Sequence, residues 1–192
     1  MIIFIDNYDS FTYNLIQYAG KISNDFIVFK NDDEEIKNVN FKNVTHIIIS
    51  PGPGKPEDSK LSLYVLKVAV RKKIPLLGVC LGHQVIGMYF GAKIIKSKEV
   101  MHGKLSNIKI LRRCKLYNGV KNKFIATRYH SLVVDSMTLP LEIDITSVDN
   151  INNEIMSLSH KKLPIYGMQF HPESIKTESG YKMIENFFKI DV

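Results

Sequence analysis

Cysteine is scarce in this sequence: Cys80 and Cys114 are the two in 192 residues. That excludes a secreted-type disulfide framework and leaves each thiol to packing or to chemistry. Long apolar runs are missing too. The longest apolar zone, Pro75 to Ala92, is broken by Gly78, Gly82, His83, Gln84 and Gly87, and a membrane span needs ~18 consecutive apolar residues. The opening Met1-Ile2-Ile3-Phe4-Ile5-Asp6 has no basic leader and reads as a buried strand rather than a targeting segment. Basic residues outnumber acidic ones, 26 to 19, for a net charge of +7. They are scattered singly or in short clusters such as Arg71-Lys72-Lys73 and Arg112-Arg113, with no basic arm or aromatic stripe, so nucleic acid is not an expected partner. These absences lead to the expectation of a cytoplasmic protein, or one of the plastid stroma if the chain is organelle-encoded, with no membrane or nucleic-acid partner.

What is present is an apolar content of 45%, enough for one sizeable core. No repeat or low-complexity linker marks a boundary, so one domain is expected over residues 1–192. Ile2 to Ile5, Phe26 to Phe29, His46 to Ser50 and Leu76 to Val79 are short buried runs that read as strands. Between them Ser10 to Ala19, Leu61 to Lys72 and Gly82 to Phe90 read as helices. In the second of these, Leu61, Tyr64, Val65, Val68 and Ala69 recur at spacings of three and four, which gives one sheet-facing side. Asp9 is placed to cap the helix expected from Ser10. Strand, helix, strand in this rhythm predicts parallel pairing with both faces covered.

Beyond residue 100 the pattern changes to short β-like runs at Asn107 to Leu111, Phe124 to Thr127, Ile143 to Val148, Ile155 to Leu158 and Ile165 to Phe170, then a helix at Gly180 to Phe188. Several of these read as antiparallel additions. The expected fold is α/β, an open mixed, mainly parallel sheet with helices on both faces.

Gly78-Val79-Cys80-Leu81-Gly82 places Gly-x-Cys-x-Gly where a buried strand meets a helix. This is the spacing of a nucleophile elbow, in which flanking glycines allow a sharp turn and the nucleophile projects above the sheet. A buried Cys between packing glycines would give the same five residues. The helix N-terminus and a neighbouring imidazole would both favour a thiolate. Cys114, between Arg113 and Lys115, has no such setting. His171-Pro172-Glu173 supplies a base with its own orienting group: Pro172 keeps His171 extended, and alternation puts His171 and Glu173 on one side. A solvated loop is the other reading of that tripeptide. His46, His83 and His160 fall in structural settings, whereas His102 and His130 are placed to line a cleft. Ser50-Pro51-Gly52-Pro53-Gly54, after a strand, is either a plain turn or a rigid loop whose amides join that of Leu81 as an oxyanion hole.

Together these segments resemble the class I glutamine amidotransferases, a family with a Cys, His, Glu triad. Asp6-Asn7-Tyr8-Asp9-Ser10-Phe11, Ser50 to Gly54, Gly78 to Gln84, Met101-His102-Gly103-Lys104, Arg128-Tyr129-His130-Ser131-Leu132 and Gln169 to Ser174 look most like the glutaminase subunits of anthranilate and aminodeoxychorismate synthases. The likeness runs from residue 6 to residue 174. It implies that Cys80 is the nucleophile, His171 the base and acid, and Glu173 the orienting carboxylate. It implies that Gly52 and Leu81 form the oxyanion hole, and that Gly52, Gly54, Gln84, Ser131 and Leu132 bind L-glutamine. It implies no metal and no organic cofactor in this chain, and a larger chorismate-binding subunit as the receiver of ammonia for tryptophan or folate precursors. Leu105 departs from the family pattern, which favours a small or hydroxyl residue there, with an effect expected only on the local loop. The alternatives are the glutaminase of another synthetase, a partner-independent cysteine hydrolase and a non-catalytic module.

Overall fold

The first strand of this computed structural model, which describes residues 1–191, shows why the N-terminal half folds as it does. In β1 (Ile2–Asp6) every residue is buried. Ile2 and Phe4 join one apolar cluster and Ile3 and Ile5 the other, because successive side chains leave opposite faces of a strand. A strand with helices on both sides therefore has to be apolar throughout. The same division recurs in β3 and β4.

In chain order the elements are β1, α1 (Thr12–Gly20), β2 (Phe26–Lys30), β3 (His46–Ile49), α2 (Lys60–Lys72), β4 (Leu76–Val79), α3 (Leu81–Tyr89), β5 (Ile94–Lys96), β6 (Lys104–Ile110), β7 (Lys123–Arg128), β8 (Leu132–Val134), β9 (Ile143–Asp149), β10 (Ile155–His160), β11 (Ile165–Met168) and α4 (Gly180–Phe188). One nine-stranded sheet runs β2-β1-β3-β4-β11-β10-β9-β6-β7. Pairing is parallel from β2 to β11 and antiparallel from β11 to β7. The buried faces of α1 and α4 join one cluster, and those of α2 and α3 the other. The mixed α/β sheet read from the sequence is thus present.

Several boundaries differ from expectation. Helix α1 begins at Thr12 rather than Ser10, because the Asp9 carboxylate accepts from Phe11 N at 2.8 Å and holds Ser10 and Phe11 in a turn. Two short strands, β5 and β8, were not read from the sequence and form a separate antiparallel pair. Strand β6 starts at Lys104, not Asn107, and Leu105 lies inside it opposite Thr127. The expected disturbance of a loop at Leu105 therefore has no loop to act on. Between β2 and β3 the chain makes two short helical turns, Glu34–Asn38 and Phe41–Asn43.

The parallel half positions the site. Ile5 pairs with Ile49, Ile49 with Gly78, and Gly78 with Gly167, so β1, β3, β4 and β11 end nearly level. Their next residues, Asn7, Ser50, Cys80 and Gln169, emerge side by side at the carboxyl edge of the sheet, where open α/β folds place ligands.

Candidate active site

Cys80 turns the chain from β4 into α3 with φ 51° and ψ −99°. Such a backbone costs a non-glycine residue on the order of 1–3 kcal/mol and persists only where its surroundings enforce it. Cys80 N donates to Met168 O at 2.7 Å, and Cys80 O accepts from Gln84 N at 3.2 Å. A Cβ on Gly78 would collide with the backbone of Gly82, so glycine is what lets strand and helix fold back this closely. The turn expected from the Gly-x-Cys-x-Gly spacing is present. Leu81 opens α3, and its amide belongs to the helix's unpaired N-terminal set.

His171 follows β11 on a pinned backbone: its N donates to Thr127 O at 3.0 Å and its O accepts from Thr177 Oγ1 at 2.6 Å. Nδ1 lies 2.6 Å from Glu173 Oε1. Their side chains are 2% and 0% exposed. Phe11 and Tyr129 meet the imidazole edge-on, with ring centroids 5.5 and 5.1 Å away. Nε2 has no hydrogen-bond partner among the described residues. Burial by itself would lower the imidazole pKa, but the Glu173 carboxylate and the Cys80 sulfur outweigh it and hold the pKa well above its ordinary value.

The Ser50 to Gly54 loop is tied to the loop after β1. Asn7 N donates to Ser50 Oγ at 2.9 Å, Asn7 Nδ2 to Ser50 O at 3.0 Å, and Asn7 Oδ1 accepts from Ser62 Oγ at 3.0 Å. Gly52 is pressed so close to Asn7 that a Cβ there would collide with it and would also crowd the Leu81 side chain.

Two cavities meet at Cys80. The inner one, about 160 Å³, is lined by Gly52, Gly54, Leu81, Gln84, Ser131 and Leu132 among others. The outer one, about 600 Å³, is bounded by Tyr8, Phe11, His102, Tyr129 and His171. Cys80 and Gly52 border both. Every residue singled out for the site therefore lies in or against one cleft, with Glu173 behind His171 on a third cavity. His102 lines the outer cavity and His130 the inner, as their sequence positions suggested. Cys114 lines neither, and burial pushes its thiol up to about 11. Among the described residues no group of three or more His, Cys, Asp or Glu is arranged to hold a metal ion, and no helix is long and apolar enough to cross a membrane.

The profile of the family described as glutamine amidotransferase class-I matches residues 3–190. The chain belongs to this family. Anthranilate synthase component 2 of Saccharolobus solfataricus is 50% identical over 190 residues, 96% of either chain. Aminodeoxychorismate/anthranilate synthase component 2 of Bacillus subtilis is 44% identical over 189 residues, covering 98% of this chain and 96% of its own. Bifunctional protein TrpGD of Thermotoga maritima is 50% identical over 192 residues, 98% of this chain but 32% of that relative, so this chain spans about a third of it. A solved glutamine amidotransferase from Thermotoga maritima shares the fold, with a TM-score of 0.79 at 16% identity over 90% of this chain and 75% of that one.

Beneath the cleft of this glutamine amidotransferase, Gln169 is fully buried against Cys80, a place its sequence position did not indicate. Gln169 Nε2 donates to Cys80 Sγ at 3.6 Å, and Gln169 Oε1 accepts from Gln84 Nε2 at 3.2 Å. Gln84 Nε2 also donates to Leu132 O at 2.9 Å. Its place two residues before His171 on an extended segment was the nearest signal, but its partners on α3 come only from the pairing of β11 with β4.

Proposed function

We propose that this glutamine amidotransferase hydrolyses L-glutamine at Cys80 and passes the ammonia to a larger chorismate-binding synthase subunit, and that residues 1–192 act as one glutaminase domain for that purpose. The observation that carries the reading is the strained Cys80 at the junction of the two cavities, with His171 bordering the outer one beside it and Glu173 backing the imidazole. The α-amino and α-carboxylate ends of glutamine enter the inner cavity against Gly54, Gln84, Ser131 and Leu132, and the side-chain carboxamide reaches Cys80.

The Cys80 thiolate attacks the carboxamide carbon, and the oxyanion is held by the amides of Gly52 and Leu81. The His171 imidazolium gives its proton to the leaving nitrogen, ammonia departs, and a γ-glutamyl thioester remains on Cys80. The imidazole, now neutral, takes a proton from water, whose oxygen attacks the thioester. Glutamate leaves and the ion pair is restored. Every bond and proton in this cycle is accounted for by Cys80, His171 and water.

The partner reading is supported by the component 2 relatives and by apolar side chains at the mouth of the cleft. Tyr8 is 57% exposed beside the outer cavity, and Ile175 is 96% exposed beside the adjoining one. The relatives span synthases for anthranilate and for aminodeoxychorismate, so either product, or both, falls within the proposal. The test is glutamate release by the purified chain with and without a chorismate-using partner, and with and without chorismate. The expected result is weak hydrolysis alone and a rise in kcat/KM on each addition. Full activity of the isolated chain, unchanged by either, would replace this reading with that of a partner-independent hydrolase.

A further inference from the structure

We propose that Arg128 is a positioning residue for the inner cavity, acting through His130 and anchored by Glu154. The proposal rests on reading that cavity as the glutamine site.

Arg128 ends β7 and, at 2% exposure, is the largest fully buried side chain. A buried cation is costly unless its donors are matched, and an apolar side chain of like volume would fill the space at no such cost. Direction is what the guanidinium adds, because its planar fork fixes several partners at once. Nη2 donates to Glu154 Oε2 at 2.8 Å, Nη1 to Ser106 Oγ at 3.2 Å, and Nε to His130 Nε2 at 2.9 Å. Asp149 Oδ1 stands 3.9 Å from Nη1.

Glu154 grips the cavity loop by a second route. Its Oε1 accepts from Ser97 Oγ at 2.8 Å and Lys98 N at 2.7 Å. Ser97 N donates to Ser131 O at 2.8 Å, and Met101 N to His130 O at 3.0 Å. One carboxylate on the β9–β10 hairpin thus holds His130 through the Arg128 side chain and Ser131 through the backbone. Ser131 and Leu132 follow directly and line the cavity. Arg128 itself is not among its lining residues, so its influence on a ligand passes through the loop.

The donor from Arg128 also sets the His130 tautomer. Nε2 is the acceptor, so the ring proton resides on Nδ1. Burial and the adjacent guanidinium push the His130 pKa down to about 3, keeping the ring neutral. A charged or turned imidazole would displace the loop that receives the substrate's charged ends.

The test compares His130→Leu, which breaks the link but leaves the Arg128–Glu154 pair, with His130→Gln, which restores an acceptor. Arg128→Lys is the third variant. Its single ammonium can reach Glu154 or His130 but cannot bridge them, and it carries the answer if His130→Leu does not fold. Steady-state glutaminase kinetics and Tm are measured for each. The proposal predicts that KM for glutamine rises about tenfold or more in His130→Leu and Arg128→Lys, that kcat falls by a smaller factor, and that His130→Gln recovers most of the loss. A lower Tm with KM unaltered in both variants would make Arg128 structural only and overturn the proposal. Protection of wild-type Cys80 from iodoacetamide by glutamine checks the underlying reading. Absence of protection overturns the cavity assignment, and protection combined with unchanged KM in the variants overturns the role of Arg128 alone.

Discussion

Glu173 Oε1 lies 2.6 Å from His171 Nδ1, and both side chains are shut away from solvent. The carboxylate fixes the ring so that Nε2 faces the cleft, and it favours the charged imidazole. His171→Ala is expected to lower kcat for glutaminase by on the order of a thousandfold, since it removes the proton carrier. Glu173→Ala is expected to cost less, because it removes the group that orients the carrier. A folded Glu173→Ala enzyme more damaged than His171→Ala would reverse the assigned roles.

The same pair predicts a pH dependence of stability. His171 has a folded pKa above its unfolded value. Its contribution is therefore fully present below the unfolded value and is lost as pH rises through the folded one. In urea unfolding, the advantage of the wild type over Glu173→Gln should be greatest below the ordinary histidine pKa of about 6.5 and should shrink as pH rises through the higher folded value. The neutral, buried His83 and His130 depend on pH in the opposite sense, but they are common to both proteins and cancel in the difference. An advantage that grows with pH would contradict the charge state inferred for the pair.

Thiol reactivity should follow the two environments. Burial holds the Cys114 thiol protonated at neutral pH, whereas Cys80 borders both cavities. Iodoacetamide should label Cys80 first, and Cys114→Ser should leave glutaminase activity nearly unchanged. Peptide mapping that finds both thiols labelled at equal rates would show that the wrong cysteine was chosen.

Gly78→Ala tests the elbow. The added methyl meets the Gly82 backbone rather than a movable side chain, so destabilisation of about 1–3 kcal/mol is expected, together with loss of activity as Cys80 shifts. Urea melts within about 0.5 kcal/mol of wild type would mean that the turn is looser than its geometry implies.

Asn7 joins the loop that faces outward at Tyr8 to Ser50 and Gly52. Asn7→Ala should therefore reduce the stimulation of glutaminase by the partner more than it reduces basal hydrolysis. Equal loss of both would make Asn7 a plain scaffold residue.

The sequence made the parallel half legible because strands buried on both faces read as unbroken apolar runs, as at Ile2 to Ile5 and Leu76 to Val79. The turn at Cys80 and the His171–Glu173 contact were legible for a similar reason, since the Gly-x-Cys-x-Gly spacing and the His-x-Glu step are local in the chain. What was missed depends on distant residues. Strands β5 and β8 are three residues each, with Ile95 and Lys96 exposed, too short to show alternation. The first residues of β6 are mostly solvent-facing and carry no apolar rhythm. Gln169 and Arg128 are held by partners 85 and 26 positions away, which no spacing rule registers.

The central claim, that Cys80 serves only to free ammonia for a second subunit, is tested most directly by Cys80→Ser in the reconstituted complex, with product formation measured once from glutamine and once from an ammonium salt. The account predicts that the glutamine-dependent reaction is abolished and the ammonium-dependent reaction is retained at close to the wild-type rate. Loss of both in a folded, partner-bound variant, or survival of the glutamine-dependent reaction, would contradict it.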